Sequence, residues 1–193
     1  MAASGSILGN AVLRREDPAI LAGASRYYDD LTVDGLTHVV FVRSPIAHAT
    51  VESVDIADAE TMPGVLAVYT ASNFPMESIQ GFVMLPPTFN RPPLATDRVR
   101  FVGDIVAAVV AETRAQAVDA AEQVIVEYEP LPVVVDAELA MAADAPLLFE
   151  AHGSNLAIAF DFGEDPTIMD DADIVVSGRF VNQRVAAVPM EPN

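Results

Sequence analysis

The stretch DRVRFVGDIVAAVVAETRAQAVDAAEQVIVEYEPLPVVVD, residues 97–136, carries consecutive secondary-structure signals without a gap. Residues 105–111 form an uncharged apolar run rich in β-branched side chains, which predicts a buried strand. Thr113 and Gln116 have the spacing of a capping box, and alanines recur behind them at helical intervals, so a short amphipathic helix follows. Residues 124–129 and 133–135 return to extended character on either side of Pro130 and Pro132. The order strand, helix, strand, strand indicates a mixed α/β core.

The flanking regions show a more even rhythm of short elements. Strands are predicted at residues 39–42, 51–55 and 65–69, with one helical turn at 58–61. Five prolines interrupt residues 73–96, which we interpret as a long loop, either functional or packed on the surface. Short helical character is predicted near residues 138–143. Further strands are expected at 155–162 and across 174–181.

Composition excludes several classes of protein. With 52% hydrophobic residues, the 193-residue chain has enough apolar material for a sizeable core. A net charge of −18 is opposite in sign to that of a nucleic-acid binder, so no nucleic-acid partner is expected. Without cysteine, the chain builds no disulfide and no cysteine-ligated zinc or iron–sulfur site. No apolar run approaches the ~20 residues of a membrane span, and we expect a cytoplasmic protein.

No motif in the chain supplies an active site by itself. His38, His48 and His152 lack metal-ligand spacing, and we assign them structural or surface roles. The adjacent acids at 29–30 and 170–171 are interpreted as solvated surface charge. Phosphate-binding glycine loops and a serine nucleophile elbow are both missing from the sequence. The residues alone therefore predict a non-catalytic chain.

Several short strings, in order, resemble one family. They are GN at 9–10, RREDP at 14–18, FVRSP at 41–45, AHA at 47–49, PGV at 63–65, VRFVG at 99–103, VAAVVAETR at 106–114, YEPLP at 128–132, NQR at 182–184 and PMEP at 189–192. This pattern is similar to the large subunits of molybdenum hydroxylases, the family of xanthine dehydrogenase, aldehyde oxidase and aerobic carbon monoxide dehydrogenase. Two departures are Ile46, where relatives often have histidine, and Asp104, where they often have glutamate.

The resemblance implies an α/β (α+β) hammerhead fold followed by the first strands of the molybdopterin-binding domain. The expected divisions are an extended arm at residues 1–23, the hammerhead domain at 24–150 and the start of the cofactor domain at 151–193. The chain ends after Pro192 and Asn193 without a closing helix or polar tail, and we expect it to be truncated.

The same resemblance implies the cofactors and partners of the complete subunit. It implies a molybdopterin cofactor, in the cytosine dinucleotide form, that this chain alone does not bind. FAD and a 2Fe–2S cluster are expected on a medium and a small partner subunit, beside the remainder of the molybdenum-binding subunit. Gln183 is the candidate for approaching the molybdenum centre, whereas Glu191 is expected to fix a turn through backbone donors. The family's catalytic glutamate lies beyond residue 193, so no catalytic residue is assigned here.

Three hypotheses remain open from the sequence. The first is the N-terminal, scaffolding part of a molybdenum hydroxylase large subunit, an oxidoreductase when complete and inactive as this chain alone. The second is a free-standing, non-catalytic assembly module that docks onto a separately encoded catalytic chain, as a natural stop codon after Asn193 would favour. The third is an unrelated small-molecule-binding α/β protein, which requires the string matches to be chance. The substrate is not predicted.

Overall fold

The computed structural model describes residues 13–27, 30–80, 85–160, 163, 165 and 167–182. The chain divides into two compact units, one of residues 36–166 and one of residues 1–35 with 167–193. In the second of these, a one-turn helix α1 (Asp17–Leu21) has a proline in its first turn, where the missing N–H costs no hydrogen bond. The Arg14 guanidinium lies 3.8 Å from the Asp17 carboxylate at the start of this helix.

Residues 36–166 contain two antiparallel three-stranded sheets and two short helices. The elements in chain order are β1 (His38–Arg43), β2 (Ala49–Asp55), α2 (Ala57–Glu60), β3 (Val65–Thr70), β4 (Arg98–Val99), β5 (Ile105–Ala111), α3 (Arg114–Ala121) and β6 (Ile125–Pro130). One sheet has the order β1-β5-β3 and the other β4-β2-β6. Single turns of 3₁₀ helix lie at Pro87–Phe89, Leu139–Met141 and Glu150–His152.

Strand β5 is the shared element of two apolar clusters. Ala107 and Val109 point to one face, where they pack with Val68 of β3 and with Ala120 of α3. Val106 points to the other face and packs with residues of the second sheet, among them Ala49 and Val99. Because successive side chains of a strand alternate between its faces, an uninterrupted apolar run is what a strand buried on both sides requires. The predicted strand at 105–111 is confirmed.

Helix α3 begins with the capping box that the sequence predicts. The Thr113 hydroxyl accepts from the Gln116 backbone N–H at 3.3 Å, and the Gln116 Oε1 accepts from the Thr113 backbone N–H at 3.0 Å. These bonds satisfy two of the backbone donors that every helix start leaves open. Ala117 and Ala120 are fully buried, and their small side chains let the helix lie close against the sheet.

The Gln116 side chain of this cap lies where a side chain at position 64 would be, so that position requires a glycine. Gly64 has φ of +81°, and a Cβ built there would overlap the Gln116 side chain. Its carbonyl also accepts from the Glu112 backbone N–H at 2.9 Å, which ties the turn before β3 to the end of β5. A left-handed turn and a close approach therefore coincide at one position.

Two predicted strands, at 133–135 and 174–181, are wrong, and so is the described part of a third. Residues 133–135, 155–160 and 174–181 are irregular, and the described part of the chain offers them no partner strand; residues 161–162 of the strand predicted at 155–162 lie outside the described residues. Their β-branched composition expresses a preference for extended backbone, but a strand also needs a ladder to satisfy its N–H and C=O groups. Helical character near 138–143 is confirmed only as the single 3₁₀ turn at Leu139–Met141.

Replacing Gly64 by alanine should destabilise the fold by about 2–3 kcal/mol, since the left-handed backbone costs ~1–2 kcal/mol and the capping box is displaced as well. Gly153→Ala is the matched control, because Gly153 has φ of +77° but nothing within 4 Å of its missing Cβ. Urea unfolding of both variants checks the difference. Equal losses at the two glycines would contradict the role given to the Gln116 contact.

Candidate functional site

A buried carboxylate organises the loops where β1 ends and β5 begins. Asp104 has only 7% of its side chain exposed and lies directly before the first residue of β5. Its Oδ1 accepts from Nη1 of Arg91 at 2.9 Å, and its Oδ2 accepts from the Arg100 backbone N–H at 3.0 Å. Both oxygens of the ion therefore have donors, as a buried carboxylate requires.

The backbone around Asp104 joins it to the end of β1. The Ser44 N–H donates to the Asp104 carbonyl at 2.8 Å, and the Gly103 N–H donates to the Ser44 carbonyl at 2.8 Å. Gly103 has φ of +97°, which glycine adopts without strain. Nη1 of Arg43 donates to the Gly103 carbonyl at 2.9 Å, so the side chain at the end of β1 closes the same turn.

A second polar group lies beneath this turn. Ser44 is buried, and its hydroxyl both donates to the Ile46 carbonyl at 2.8 Å and accepts from the Ile46 N–H at 3.0 Å. Burial raises the pKa of the Tyr128 hydroxyl; a hydrogen bond with the Ser44 side chain opposes the rise, and the Asp104 carboxylate adds to it. The phenol is therefore held in its neutral form.

Arg100 connects this region to the segment after β6. Its Nε donates to the Leu148 carbonyl at 2.9 Å, and its guanidinium lies 4.7 Å from the centre of the Phe149 ring. Burial lowers the pKa of Arg100, and the Asp97 carboxylate opposes that shift. The neighbouring Arg98 forms an ion pair with Glu150 at 3.3 Å. Arg98 of β4 and Arg100, which directly follows β4, thus hold the segment 148–150 in place.

A pocket of about 400 Å³ opens beside the Arg91 and Asp104 ion pair. Arg43, Asn90 and Gly103 contribute polar groups to its wall. The Arg91 guanidinium lies 4.9 Å from the centre of the Phe101 ring, so this cation is held by a carboxylate and an aromatic face together. The apolar part of the wall consists of Ile79, Leu85, Phe89, Pro92, Pro93, Phe101 and Ile105.

The residues singled out in the sequence are not brought together in one site. Gln183 and Glu191 lie outside the described residues. Nδ1 of His48 bonds the Pro132 carbonyl at 2.8 Å, and His152 contacts Thr88, which fits the structural roles predicted for them. Asp170 and Asp171 are exposed.

Within the described ranges, no three histidine or acidic side chains are placed to hold a metal ion. In the same part of the chain, no helix is long and apolar enough to cross a membrane.

Sequence reasoning missed the pairing of Arg91 with Asp104. The signal for Asp104 was present, because an acid that stands between a glycine turn and an uncharged strand is carried into the interior by that strand. No local pattern pointed to Arg91, which lies thirteen residues away across an irregular loop.

The fold and its motifs match a known family over most of the domain. Residues 22–132 match the family model described as "Aldehyde oxidase and xanthine dehydrogenase, a/b hammerhead domain". The chain belongs to this family. The α/β (α+β) hammerhead fold predicted from the sequence is thereby confirmed.

Family members with assigned activities align with nearly the whole chain. It is 37% identical to the 6-hydroxypseudooxynicotine dehydrogenase complex subunit gamma of Paenarthrobacter nicotinovorans, over 96% of this chain and 24% of that protein. It is also 37% identical to the carbon monoxide dehydrogenase large chain of Afipia carboxidovorans, over 92% of this chain and 24% of that one. The chain thus spans about a quarter of the length of these relatives.

Solved structures give the same result. The crystal structure of a Cu,Mo-CO dehydrogenase in the carbon monoxide reduced state superposes with a TM-score of 0.61 at 40% identity, covering 74% of this chain and 18% of that chain. Quinoline 2-oxidoreductase from Pseudomonas putida 86 superposes with a TM-score of 0.57 at 42% identity, over 72% of this chain and 18% of that chain. The chain is homologous to the large-subunit region of the molybdenum hydroxylases.

Replacing Asp104 by asparagine should lower the free energy of unfolding by about 2–3 kcal/mol. Breaking a fully buried ion pair costs ~3–5 kcal/mol, and the cost is smaller here because the Arg91 side chain is 35% exposed. Asp97→Asn is the control, since the Asp97 side chain is exposed and accepts a hydrogen bond from the adjacent Thr96 hydroxyl. Urea denaturation of both variants measures the difference, and equal stability would contradict a central role for Asp104.

The raised pKa of Tyr128 predicts a loss of stability at alkaline pH. Above the ordinary phenol pKa of about 10, the unfolded chain releases this proton before the folded protein does. The contribution of Tyr128 is therefore complete below that pH and is lost as pH rises through the raised folded pKa. In Tyr128→Phe, unfolding free energy should fall less steeply above pH ~10 than in the unaltered protein. Parallel curves for Tyr128→Phe and the unaltered protein would contradict the assignment.

Proposed function

We propose that the chain supplies the hammerhead domain of the molybdopterin-binding large subunit of a molybdenum hydroxylase. The observation that carries the proposal is the alignment of 92–96% of the chain with large subunits of that kind. In the proposed enzyme the domain is a scaffold rather than a source of catalytic groups. The buried polar groups around Asp104 favour this role, because they satisfy one another instead of facing a reacting atom.

The complete enzyme of this proposal contains a molybdopterin cofactor in the cytosine dinucleotide form. The cofactor supplies the redox chemistry that oxidises the substrate, either by hydroxylating a carbon centre or by oxidising carbon monoxide. A 2Fe–2S subunit and an FAD subunit would accept the electrons in the proposed cytoplasmic complex. Names such as "Xanthine dehydrogenase molybdenum-binding subunit" and "complex subunit gamma" among the relatives support a molybdenum-binding member of a multi-subunit assembly.

Within this scheme the chain has three parts with different tasks. Residues 1–23 are an arm, residues 24–150 are the hammerhead domain, and residues 151–193 begin the cofactor-binding domain. Gln183 is the residue of this chain assigned to the neighbourhood of the molybdenum centre, on the match of NQR at 182–184 to the family pattern.

The experiment purifies the assembled enzyme from its host and compares molybdenum content with substrate oxidation. A scaffold predicts that Gly64→Ala lowers the yield of molybdenum-loaded complex while kcat per bound molybdenum is unchanged, because Gly64 acts only through folding. Gln183→Ala is expected to lower kcat per bound molybdenum by about tenfold or more, as loss of one positioned hydrogen-bonding group does.

The control is Gly153→Ala, which has the same left-handed backbone cost without the overlap with Gln116, and which should therefore lower the yield less than Gly64→Ala does and leave kcat near its original value. A purified complex without molybdenum, FAD and iron would overturn the proposed enzyme. Finding the molybdenum on a separately encoded chain would instead support a free-standing docking module. A reduced kcat per molybdenum in Gly64→Ala would contradict the purely supporting role of the domain.

A further inference from the structure

The pocket beside Asp104 has an uncompensated positive charge in an otherwise strongly acidic protein. Its wall contains two guanidinium groups and one carboxylate. Arg91 is paired with Asp104, but no described carboxylate forms an ion pair with Arg43. The local excess of one positive charge contrasts with a net charge of −18 for the whole chain. A cation left in this position attracts an anion.

Arg43 is oriented towards the pocket by two contacts that leave most of its donors open. Nη1 donates to the Gly103 carbonyl at 2.9 Å, and the guanidinium lies 5.5 Å from the centre of the Phe41 ring. A guanidinium has five N–H donors in a planar fork, which suits the two oxygens of a carboxylate. The contacts of Arg43 thus fix its position through Nη1, while Nε and Nη2 have no acceptor among the described residues.

The rest of the pocket selects the body of the ligand. Two aromatic rings, those of Phe89 and Phe101, and the aliphatic side chains of Ile79, Leu85 and Ile105 contribute to the wall. A volume of about 400 Å³ lies at the small end of the range for pockets that hold organic ligands. An ion with two charges would lose hydration against this apolar wall with only one cation to compensate it.

We propose that this pocket binds a small organic monoanion in which a carboxylate is attached to an aromatic or branched apolar body. The carboxylate bonds the open donors of Arg43, and the apolar body lies between Phe89 and Phe101. Asn90 offers an amide for a polar substituent on the ligand. The site is independent of the proposed molybdenum chemistry, because none of its residues is assigned a role there.

The test measures binding of benzoate to the full chain by NMR and calorimetry, with benzamide as a neutral probe of nearly the same shape. Benzoate should shift the backbone amide signals of Phe101 and Gly103 and bind at least tenfold more tightly than benzamide. Its affinity should fall as salt is added, because the Arg43 side chain is exposed and its charge is screened.

Arg43→Met keeps an unbranched side chain, removes the charge and should weaken benzoate binding about tenfold or more. Arg114→Met is the matched control. It removes an arginine beyond the far end of β5, about 20 Å along the strand from the pocket, and should leave the affinity unchanged. Thermal unfolding of both variants verifies that they are folded.

Three results would overturn the proposal. They are the absence of benzoate binding at millimolar concentration, equal binding of benzamide and benzoate, and unchanged benzoate affinity in Arg43→Met. Failure here would leave the proposed enzyme untouched, since molybdenum content and oxidation of substrate are measured separately on the assembled complex.

Discussion

The arrangement of the loops at one end of the sheets depends on the burial of a single carboxylate. Asp104 cannot enter the interior as an ion unless donors come with it, and its donors are supplied by chain segments on both sides. Arg91 comes from the irregular segment before β4, and the Arg100 N–H comes from the residue after β4. Ser44, which bonds the Asp104 backbone, comes from the end of β1. One charge thus determines where three segments meet, although none of them has a strong local preference for its conformation.

The second constraint is the double burial of β5. Its alanines keep one face low enough for α3 to approach, while Val106 and Val109 fill the spaces on opposite sides. Asp104 is the residue immediately before this strand, so a shift of β5 along its axis would displace the carboxylate from its donors. The register of β5 and the hydrogen bonds of the buried Asp104 carboxylate therefore stabilise each other. Gly64 also depends on the position of β5. Its carbonyl accepts from the N–H of Glu112, the residue after β5, and the absence of a Cβ leaves room for the Gln116 side chain that caps α3.

The success of sequence reasoning followed the range of the interactions involved. Residues 105–111 and the box at Thr113 and Gln116 were predicted correctly because burial on both faces and helix capping leave their signals within a few residues. Residues 174–181 have the composition of a strand but lack a described partner strand, and composition does not report partners. The ion pair of Arg91 with Asp104 crosses an irregular loop, so no periodicity records it. The position of Gln183 stays a prediction, since it lies outside the described residues.

Three arginines near Asp104 each bond an acceptor and contact an aromatic ring. Arg91 bonds a carboxylate and faces Phe101, and Arg100 bonds a carbonyl and faces Phe149. A planar guanidinium can do both at once, whereas the compact ammonium of lysine stacks poorly and hydrates strongly. In each case the guanidinium helps to hold a loop in place. Arg43 likewise bonds a neutral carbonyl and lies near an exposed ring, but its guanidinium lines the pocket, and no described carboxylate forms an ion pair with it there. Of these three arginines, Arg43 and Arg91 line the pocket; because Arg91 is paired with Asp104, the charge of Arg43 makes the pocket positive.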